Sequence, residues 1–477
     1  MELLLKKKEI VSILLKRQIL VSKELLEKLN EPEIVEQWHK VLMTGGELPE
    51  IKPKQAQANT SVEIIWEYNE KPKKRTVQDF IDYFNARYRA LEKLLRNRQE
   101  LQNLTSIGRL RNKKDKETVS IIGIISDKHV TKNENIMLTV EDATGTMKVI
   151  VNKTKQDIYL AAKDLVFDEV IGIVGTTGED IMFANTIIVP DIPHTEVKKA
   201  PDEVYAAVLS CIHVGSTLFE HEKFNNFIQW INGKLGDEKQ KEIAAKTKYI
   251  FICGDLVDGI GIYPKQENEL TIPDIYEQYK ECARLLKQIP EDKTLIIGPG
   301  NHDASRISEP QPKLSKEYSK PLWELPNAIM VCNPCMLRVQ TSQNFPGMNI
   351  LMYHGYSFDD YGEIVPSIKN SGKHISDRAP LIMKYLLQKR HLAPQHSSTL
   401  YIPDPYQDPL VIEQVPDLFF AGHIHKAGTL QYRGVSIVSA SCFQGKTAFQ
   451  EKVGHEPEPG VVPLVNLHTR QTTLMRF

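Results

Sequence analysis

The spacing of apolar positions divides the chain into stretches of different character. In residues 1–45, Leu3, Ile10, Leu14 and Leu15 recur at helical intervals, and Ser22 stands as an N-cap ahead of Leu25, Leu26 and Leu29, predicting a small helical unit. Gly45-Gly46 closes it. Residues 46–75, with Pro49, Pro53 and the run Lys71-Pro72-Lys73-Lys74-Arg75, read as a linker. From Thr76 to about Leu104, Phe80, Tyr83, Phe84, Tyr88, Leu91, Leu94 and Leu95 fall on one helical stripe. That stripe predicts a helix within 76–116 that packs against a neighbouring domain and leads into the next unit.

Residues 117–198 change period. Short β-type runs (Val119–Ile125, Ile136–Val140, Met147–Val151, Val170–Val174 and Ile181–Ile188) are separated by turn residues such as Asn133-Glu134-Asn135, Thr144-Gly145 and Thr177-Gly178. Five short strands in about 80 residues predict a small barrel of the OB type. Its aromatic side chains are Tyr159, Phe167 and Phe183, few for a platform that stacks bases, so a protein-docking barrel is the better expectation. Residues 199–477 then alternate strand-like runs with helical stretches, the pattern of a layered α/β domain large enough to bury its own core.

Composition limits the function classes. Of 477 residues, 41% are hydrophobic and 25% charged, with a formal net charge of −1, which excludes a disordered or collagen-like chain and a uniformly basic coat protein. The charge is uneven: residues 1–116 hold 24 Lys+Arg against 17 Asp+Glu, leaving the rest of the chain acidic. The basic part could meet phosphate, although a solvated helix face explains such a balance equally simply. Six scattered cysteines and no long apolar run predict a cytoplasmic protein with no membrane span. Cys332-Asn333-Pro334-Cys335 has CxxC spacing but no second ligand pair nearby, so it reads as two ordinary cysteines.

The chemistry concentrates after predicted strands of the last domain: Cys211-Ile212-His213, Gly254-Asp255-Leu256-Val257-Asp258-Gly259, Gly300-Asn301-His302-Asp303, His354-Gly355 and Gly422-His423-Ile424-His425. Ligands of open α/β folds gather beyond the carboxyl ends of strands, so the five segments can converge. Each alone is a common turn or a satisfied polar residue. The ordered set resembles the calcineurin-like metallophosphoesterases.

That resemblance implies a four-layer α/β domain holding two divalent metal ions, manganese foremost, with iron or zinc as alternatives. It implies Asp255 as the bridging carboxylate, His213 and His425 on one ion, and Asn301, His354 and His423 on the other. His302 matches the family's unliganded histidine, which protonates the leaving oxygen. Asp303 is either the carboxylate that positions this imidazole or a structural residue. Arg306 is either a phosphate grip or half of a surface ion pair. One position departs from the pattern: where the family has Asp-x-His, this chain has Cys211-Ile212-His213. Seven of the eight expected positions are intact. Three readings stay open: a working site with a thiolate ligand, a weakened site with one strong metal, or a site losing catalysis.

Further segments narrow the family. Leu209-Ser210-Cys211-Ile212-His213-Val214-Gly215-Ser216, Pro299-Gly300-Asn301-His302-Asp303-Ala304, Glu309-Pro310-Gln311-Pro312, Asp359-Asp360 and Lys389-Arg390-His391-Leu392-Ala393-Pro394 resemble the small subunit of archaeal family D DNA polymerase. So does the helix with Val77-Gln78-Asp79-Phe80, Tyr83-Phe84-Asn85 and Arg87-Tyr88 ahead of a barrel. The resemblance implies a 3′→5′ proofreading exodeoxyribonuclease acting on a DNA primer 3′ end as the partner of a large polymerising subunit. The competing expectation is a scaffold subunit that docks the large subunit without catalysis. Gln471, Leu474 and Phe477 have the spacing of a sliding-clamp-binding motif, against which stands a closing β-hairpin with Val462–Leu467.

Overall fold

The computed structural model describes residues 2–16, 35, 38, 39, 41, 62–69, 73–110 and 116–477. The chain divides into two compact units, 1–59 and 60–477. In the first unit the helix Glu2–Lys16 is formed, Ile10, Val35 and Trp38 are buried, and His39 Nε2 lies 2.6 Å from Glu9 Oε2. The expected N-cap Ser22 and Leu25, Leu26 and Leu29 lie outside the described residues.

In the second unit, five strands (Thr118–Val130, Ile136–Asp142, Gly145–Val151, Val170–Thr177 and Ile181–Ile188) close into a barrel. Closure is made by a parallel pairing of the third strand with the fifth, Lys148 opposite Ile181. The alternation seen in the sequence is the reason the strands form: Val119, Ile121, Ile136, Leu138, Val140, Val149, Val151, Ile171 and Ile173 all point into one buried core.

The helix Val77–Leu95 precedes the barrel and begins with a reciprocal cap: Thr76 Oγ1 accepts from Asp79 N, and Asp79 Oδ2 accepts from Thr76 N at 2.7 Å. It stops at Leu95, short of the expected Leu104. Tyr83 is buried and Phe84 half-buried beside Tyr401, so the stripe is packing surface. Arg87, on the same face, is fully buried: its Nε donates to Asp408 Oδ2 at 2.6 Å and Nη1 to the Pro394 carbonyl at 2.6 Å.

Residues from 205 onward, joined by the strand Glu63–Glu67, build two six-stranded mixed sheets. One runs Ala328–Met330, Thr294–Gly298, Thr247–Cys253, Tyr205–Leu209, Val461–Asn466, Thr472–Arg476, its first four strands parallel. The other runs Glu63–Glu67, Cys335–Val339, Met348–Tyr353, Leu418–Ala421, Val435–Ser439, Gly428–Tyr432. Val208, Phe251 and Ile296 of the first sheet share a buried cluster with Leu337, Ile350, Met352 and Phe420 of the second. Helices His221–Ile231 and Ile275–Leu286 cover the outer face of one sheet, and Phe358–Ile364 and Ala379–Lys389 that of the other. The result is helix, sheet, sheet, helix.

One expectation needs correction. The segment 46–75 is not linker throughout: Glu63–Glu67 is an edge strand pairing antiparallel with Cys335–Val339. Its apolar Ile64, Ile65 and Trp66 half-bury against the domain despite the Pro- and Lys-rich surroundings. At the C-terminus the closing β-hairpin is formed: Thr472–Arg476 pairs with Val461–Asn466, and the Phe477 ring lies against Phe227 (5.5 Å) and Trp230 (5.4 Å). Among the described residues, no helix is long and apolar enough to cross a membrane.

Candidate metal centre

Register explains why distant segments meet. Leu209 pairs with Ile252 and Ile252 with Ile297, so three parallel strands end level; Tyr353 likewise pairs with Ala421. The residues just past these ends are Cys211, Asp255, Asn301, His354 and His423. Five of the chemistry-bearing residues have left-handed backbone: Cys211 (φ 51°), His213 (56°), Asp255 (55°), His423 (70°) and His425 (58°). Non-glycine residues adopt this conformation only where the surroundings impose it, and such strain gathers at functional sites. Glycines admit the close approach. A Cβ on Gly254 (φ 88°) would lie 2.6 Å from His354 Nδ1, and one on Gly300 2.2 Å from Asp255 Oδ1.

Asp255 is central and 1% exposed. Its Oδ1 accepts from His302 N at 2.8 Å. Its Oδ2 lies 3.2 Å from His354 Nε2, 3.8 Å from His213 Nε2 and 3.9 Å from Cys211 Sγ. On one side, His213 Nε2 and His425 Nε2 face each other at 3.2 Å, with Cys211 Sγ close to both. On the other, Asn301 Oδ1 lies 2.8 Å from His354 Nε2. Burial alone would raise the Asp255 carboxyl, but His354, His302 and His213 hold it well below the usual carboxylate range.

The remote nitrogens are held from behind. His213 Nδ1 lies 3.1 Å from Asp258 Oδ1, His354 Nδ1 2.7 Å from the Cys253 carbonyl, and His302 Nδ1 2.8 Å from the Asp258 carbonyl. His425 Nδ1 is 2.8 Å from Gln450 Nε2. At His213 and His354 such partners can take the remote N–H and leave the opposite nitrogen's lone pair aimed inward, as second-sphere partners of metal-binding histidines do. At His425 the Gln450 amide instead donates to Nδ1 and fixes only the ring's orientation. His423 stands slightly apart. Its ring lies 5.1 Å from that of His354, but Nε2 is 3.2 Å from Asp359 Oδ2, so Nδ1 is the nitrogen left with a lone pair. Asp359 also approaches His455 Nε2 at 3.5 Å.

Two expected roles are corrected. Asp303 does not touch the His302 imidazole. Its Oδ2 accepts from Asp255 N and Gly300 N, both at 2.9 Å, and its Oδ1 from Leu256 N and the Tyr279 hydroxyl, both at 3.2 Å. It ties together the two loops that carry Asp255 and Asn301. Arg306 neither grips a phosphate nor forms an ion pair: its guanidinium donates to the Pro310 and Ser308 carbonyls and lies over the Tyr68 ring. Cys332 and Cys335 are buried, and Cys332 Sγ accepts from Tyr68 N at 3.0 Å. Asp258, Gln450 and Asp359 carried no assigned role in the sequence. Asp258 stood three residues past Asp255, and Gln450 in the Thr447-x-x-Gln450 capping box, but neither spacing names a histidine partner.

Comparison with known proteins bears on this arrangement. Residues 207–429, which include every donor described, match the family model for the B subunit of DNA polymerases alpha and epsilon. The DNA polymerase II small subunit of Methanothermobacter thermautotrophicus is 39% identical over 390 residues, covering 82% of this chain and 78% of that one. The chain belongs to the DNA polymerase II small-subunit family. Other members include the Thermoplasma acidophilum protein, 33% identical over 84% of this chain and 78% of its own length, and the Pyrococcus abyssi protein, 40% identical over 82% of this chain. The match spans 62% of the Pyrococcus protein's length. Telomere capping protein Ten1 of Saccharomyces pombe is a solved structure with an 18% identical match over 18% of this chain and 77% of its own, TM-score 0.14. Within the DNA polymerase II small-subunit family, the convergence of Cys211, His213, Asp255, Asn301, His354 and His425 is what this chain offers to chemistry.

Proposed function

We propose that the chain is the small subunit of a replicative DNA polymerase and carries its 3′→5′ proofreading exonuclease, in a calcineurin-like phosphoesterase domain fused to an OB-type barrel. The observation that carries the reading is the placement of Asp255 Oδ2 between two donor groups, Cys211/His213/His425 and Asn301/His354. Imidazole, amide, thiol and carboxylate donors, buried and braced from behind, fit two divalent ions better than they fit a purely structural cluster. Cys211, His213, His425 and Asp255 would hold one ion, and Asn301, His354, His423 and Asp255 the other. When bound, two such ions would supply charge neutralisation on the phosphoryl oxygens and acidify water at the site.

The chain's own residues do the rest. His302 is held by its Nδ1 on the Asp258 carbonyl, which leaves Nε2 to move a proton. Burial pulls its pKa below the ordinary imidazole value. Water adds to the terminal phosphorus and gives a proton to Nε2. The bond from phosphorus to the 3′ oxygen of the shortened primer breaks, and that oxygen takes the proton from Nε2. A nucleoside 5′-monophosphate leaves. Membership in a family of polymerase small subunits supports a large subunit as partner and a primer 3′ end as substrate. The barrel and the capped helix before it supply surface that a solitary phosphatase would not need.

The test is a Mn²⁺-supplemented assay on 3′-mismatched primers, with and without the large subunit, comparing the parent chain, Cys211→Asp and His302→Ala. Activity in the parent and a loss of about 10²–10⁴-fold in His302→Ala is expected. Inactivity of all three, with docking to the large subunit intact, would instead make the chain a scaffold.

A further inference from the structure

We propose that Cys211 makes the first of the two metal positions selective for a thiophilic ion, zinc in the first instance, so that the centre holds two different metals. This rests on the two-ion reading above and assigns what each half of the centre takes.

The first position is built from four side chains on three loops: Cys211 Sγ and His213 Nε2 after Tyr205–Leu209, Asp255 Oδ2 after Thr247–Cys253, and His425 Nε2 after Leu418–Ala421. All four are nearly or fully buried. The donor separations are 3.2 Å for His213 to His425, 3.8 Å for His213 to Asp255 and 3.9 Å for Cys211 to Asp255. A tetrahedral zinc ion with bonds of about 2.0–2.3 Å spaces its ligands by roughly 3.3–3.6 Å. The three measured edges bracket that spacing, so small side-chain shifts complete a closed site of one sulfur, two nitrogens and one oxygen. A carboxylate at position 211 would offer a second hard oxygen and reach further from its Cβ. A thiolate is soft, binds at longer range, and disfavours manganese. The second position is built from Asn301 Oδ1, His354 Nε2 and Asp255 Oδ2, with His423 alongside, and the Cys211 sulfur reaches only its edge, within 4.8 Å of the Asp255 and His354 donors. That set takes a harder ion and can keep a position open for water.

Burial and the neighbouring Asp255 carboxylate push the Cys211 thiol up, so the bound ion itself would draw off the thiol proton. The Ser210 hydroxyl sits 3.2 Å from Cys211 Sγ and 2.9 Å from the Cys253 carbonyl. Gly422 lets this hydroxyl close in, since a Cβ there would fall 1.9 Å from Ser210 Oγ. The other buried cysteines, Cys253, Cys282, Cys332, Cys335 and Cys442, belong to no group of donors capable of holding a metal among the described residues.

Cobalt(II) reads this directly, because a cobalt–thiolate bond gives a near-ultraviolet charge-transfer band that nitrogen and oxygen ligands do not. The full-length chain is stripped with chelator, refilled with Co²⁺ and followed by absorption and by bound metal per chain, alongside Cys211→Asp and Cys211→Ser. A parallel sample is dialysed against equal Zn²⁺ and Mn²⁺ and its metals counted. The expected result is two cobalt ions per chain with the thiolate band, loss of that band in both variants with two cobalts retained in Cys211→Asp, and one zinc with one manganese in the mixed dialysis. Two cobalts without a thiolate band, or a band that survives in Cys211→Asp, overturns the assignment while leaving the two-ion reading in place. Failure of the folded chain to bind any cobalt, with circular dichroism unchanged, removes both.

Discussion

Replacing Asp303 with asparagine alters no donor of the centre, yet it is expected to loosen the loops that carry two of them. The two Asp303 oxygens take three backbone N–H groups and the Tyr279 hydroxyl, at 2.9–3.2 Å, in a 2% exposed environment. Asparagine keeps the shape but turns one oxygen into an NH₂ group. If that group replaces Oδ1, the Tyr279 hydroxyl can rotate to accept, and Leu256 N keeps only its 3.4 Å contact with Oδ2. If it replaces Oδ2, Asp255 N and Gly300 N are both orphaned. A buried unsatisfied donor costs about 1–3 kcal/mol, and the amide settles the way that orphans least, so the loss is about 1–3 kcal/mol, read as a lower urea midpoint by circular dichroism. Metal affinity should fall as well, by about 10–100-fold, because Asp255 and Asn301 sit on the loops released. A midpoint within about 0.5 kcal/mol of the parent, the range of an ordinary surface change, would refute the latch role. If the pH dependence of cleavage moved at the same time, Asp303 would instead be acting on the His302 imidazole.

Other expectations follow from the same contacts. Arg87→Ala leaves the buried Asp408 carboxylate without its guanidinium, and breaking one side of a buried pair costs about 3–5 kcal/mol. Hydrogen exchange should then show early opening of Val77–Leu95, and unchanged protection there would contradict the anchoring. His391 is neutral, because Nδ1 accepts from Ala393 N at 3.0 Å and Nε2 donates to Asp408 at 2.7 Å. Burial first, and Arg87 second, hold its pKa down to about 4. A depressed pKa contributes stability above the unfolded value near 6.5 that disappears as pH falls toward 4, about 3 kcal/mol in all. Urea midpoints from pH 7 to 4 should drop less steeply in His391→Gln; identical slopes would show that His391 does not titrate as described. Truncation before Gln471 removes a strand and the Phe477 ring from the core, so it should lower the melting temperature sharply, whereas an unchanged melting temperature would reopen the clamp-motif reading.

Much of this was legible in the chain itself. The barrel strands announce themselves because each carries a short run rich in β-branched residues, and turn residues mark their ends. The donors are legible for a related reason: each follows a parallel strand, and parallel strands that end level bring their following residues together. What the sequence hides is the direction in which a side chain turns. Asp303 faces amides instead of the neighbouring imidazole because the Asp255 and Gly300 loops close over it from 48 and three residues away in sequence. Arg306 turns onto carbonyls of its own loop. The strand Glu63–Glu67 was hidden by charged and proline-rich neighbours, and its partner lies more than 260 residues further on. Gln450 gave a helix-cap signal, and only packing shows that its amide also braces His425.

The central claim is that phosphodiester hydrolysis occurs at the Asp255-centred cluster. Its most direct test is product analysis on a 3′-end-labelled mismatched primer, using the chain with its large subunit after chelation and readdition of Mn²⁺ and Zn²⁺, alongside Asp255→Asn. The account predicts release of labelled nucleoside 5′-monophosphate that is abolished by chelator, restored by metal and lost in Asp255→Asn. Release that survives in Asp255→Asn, or that requires no metal, would contradict it.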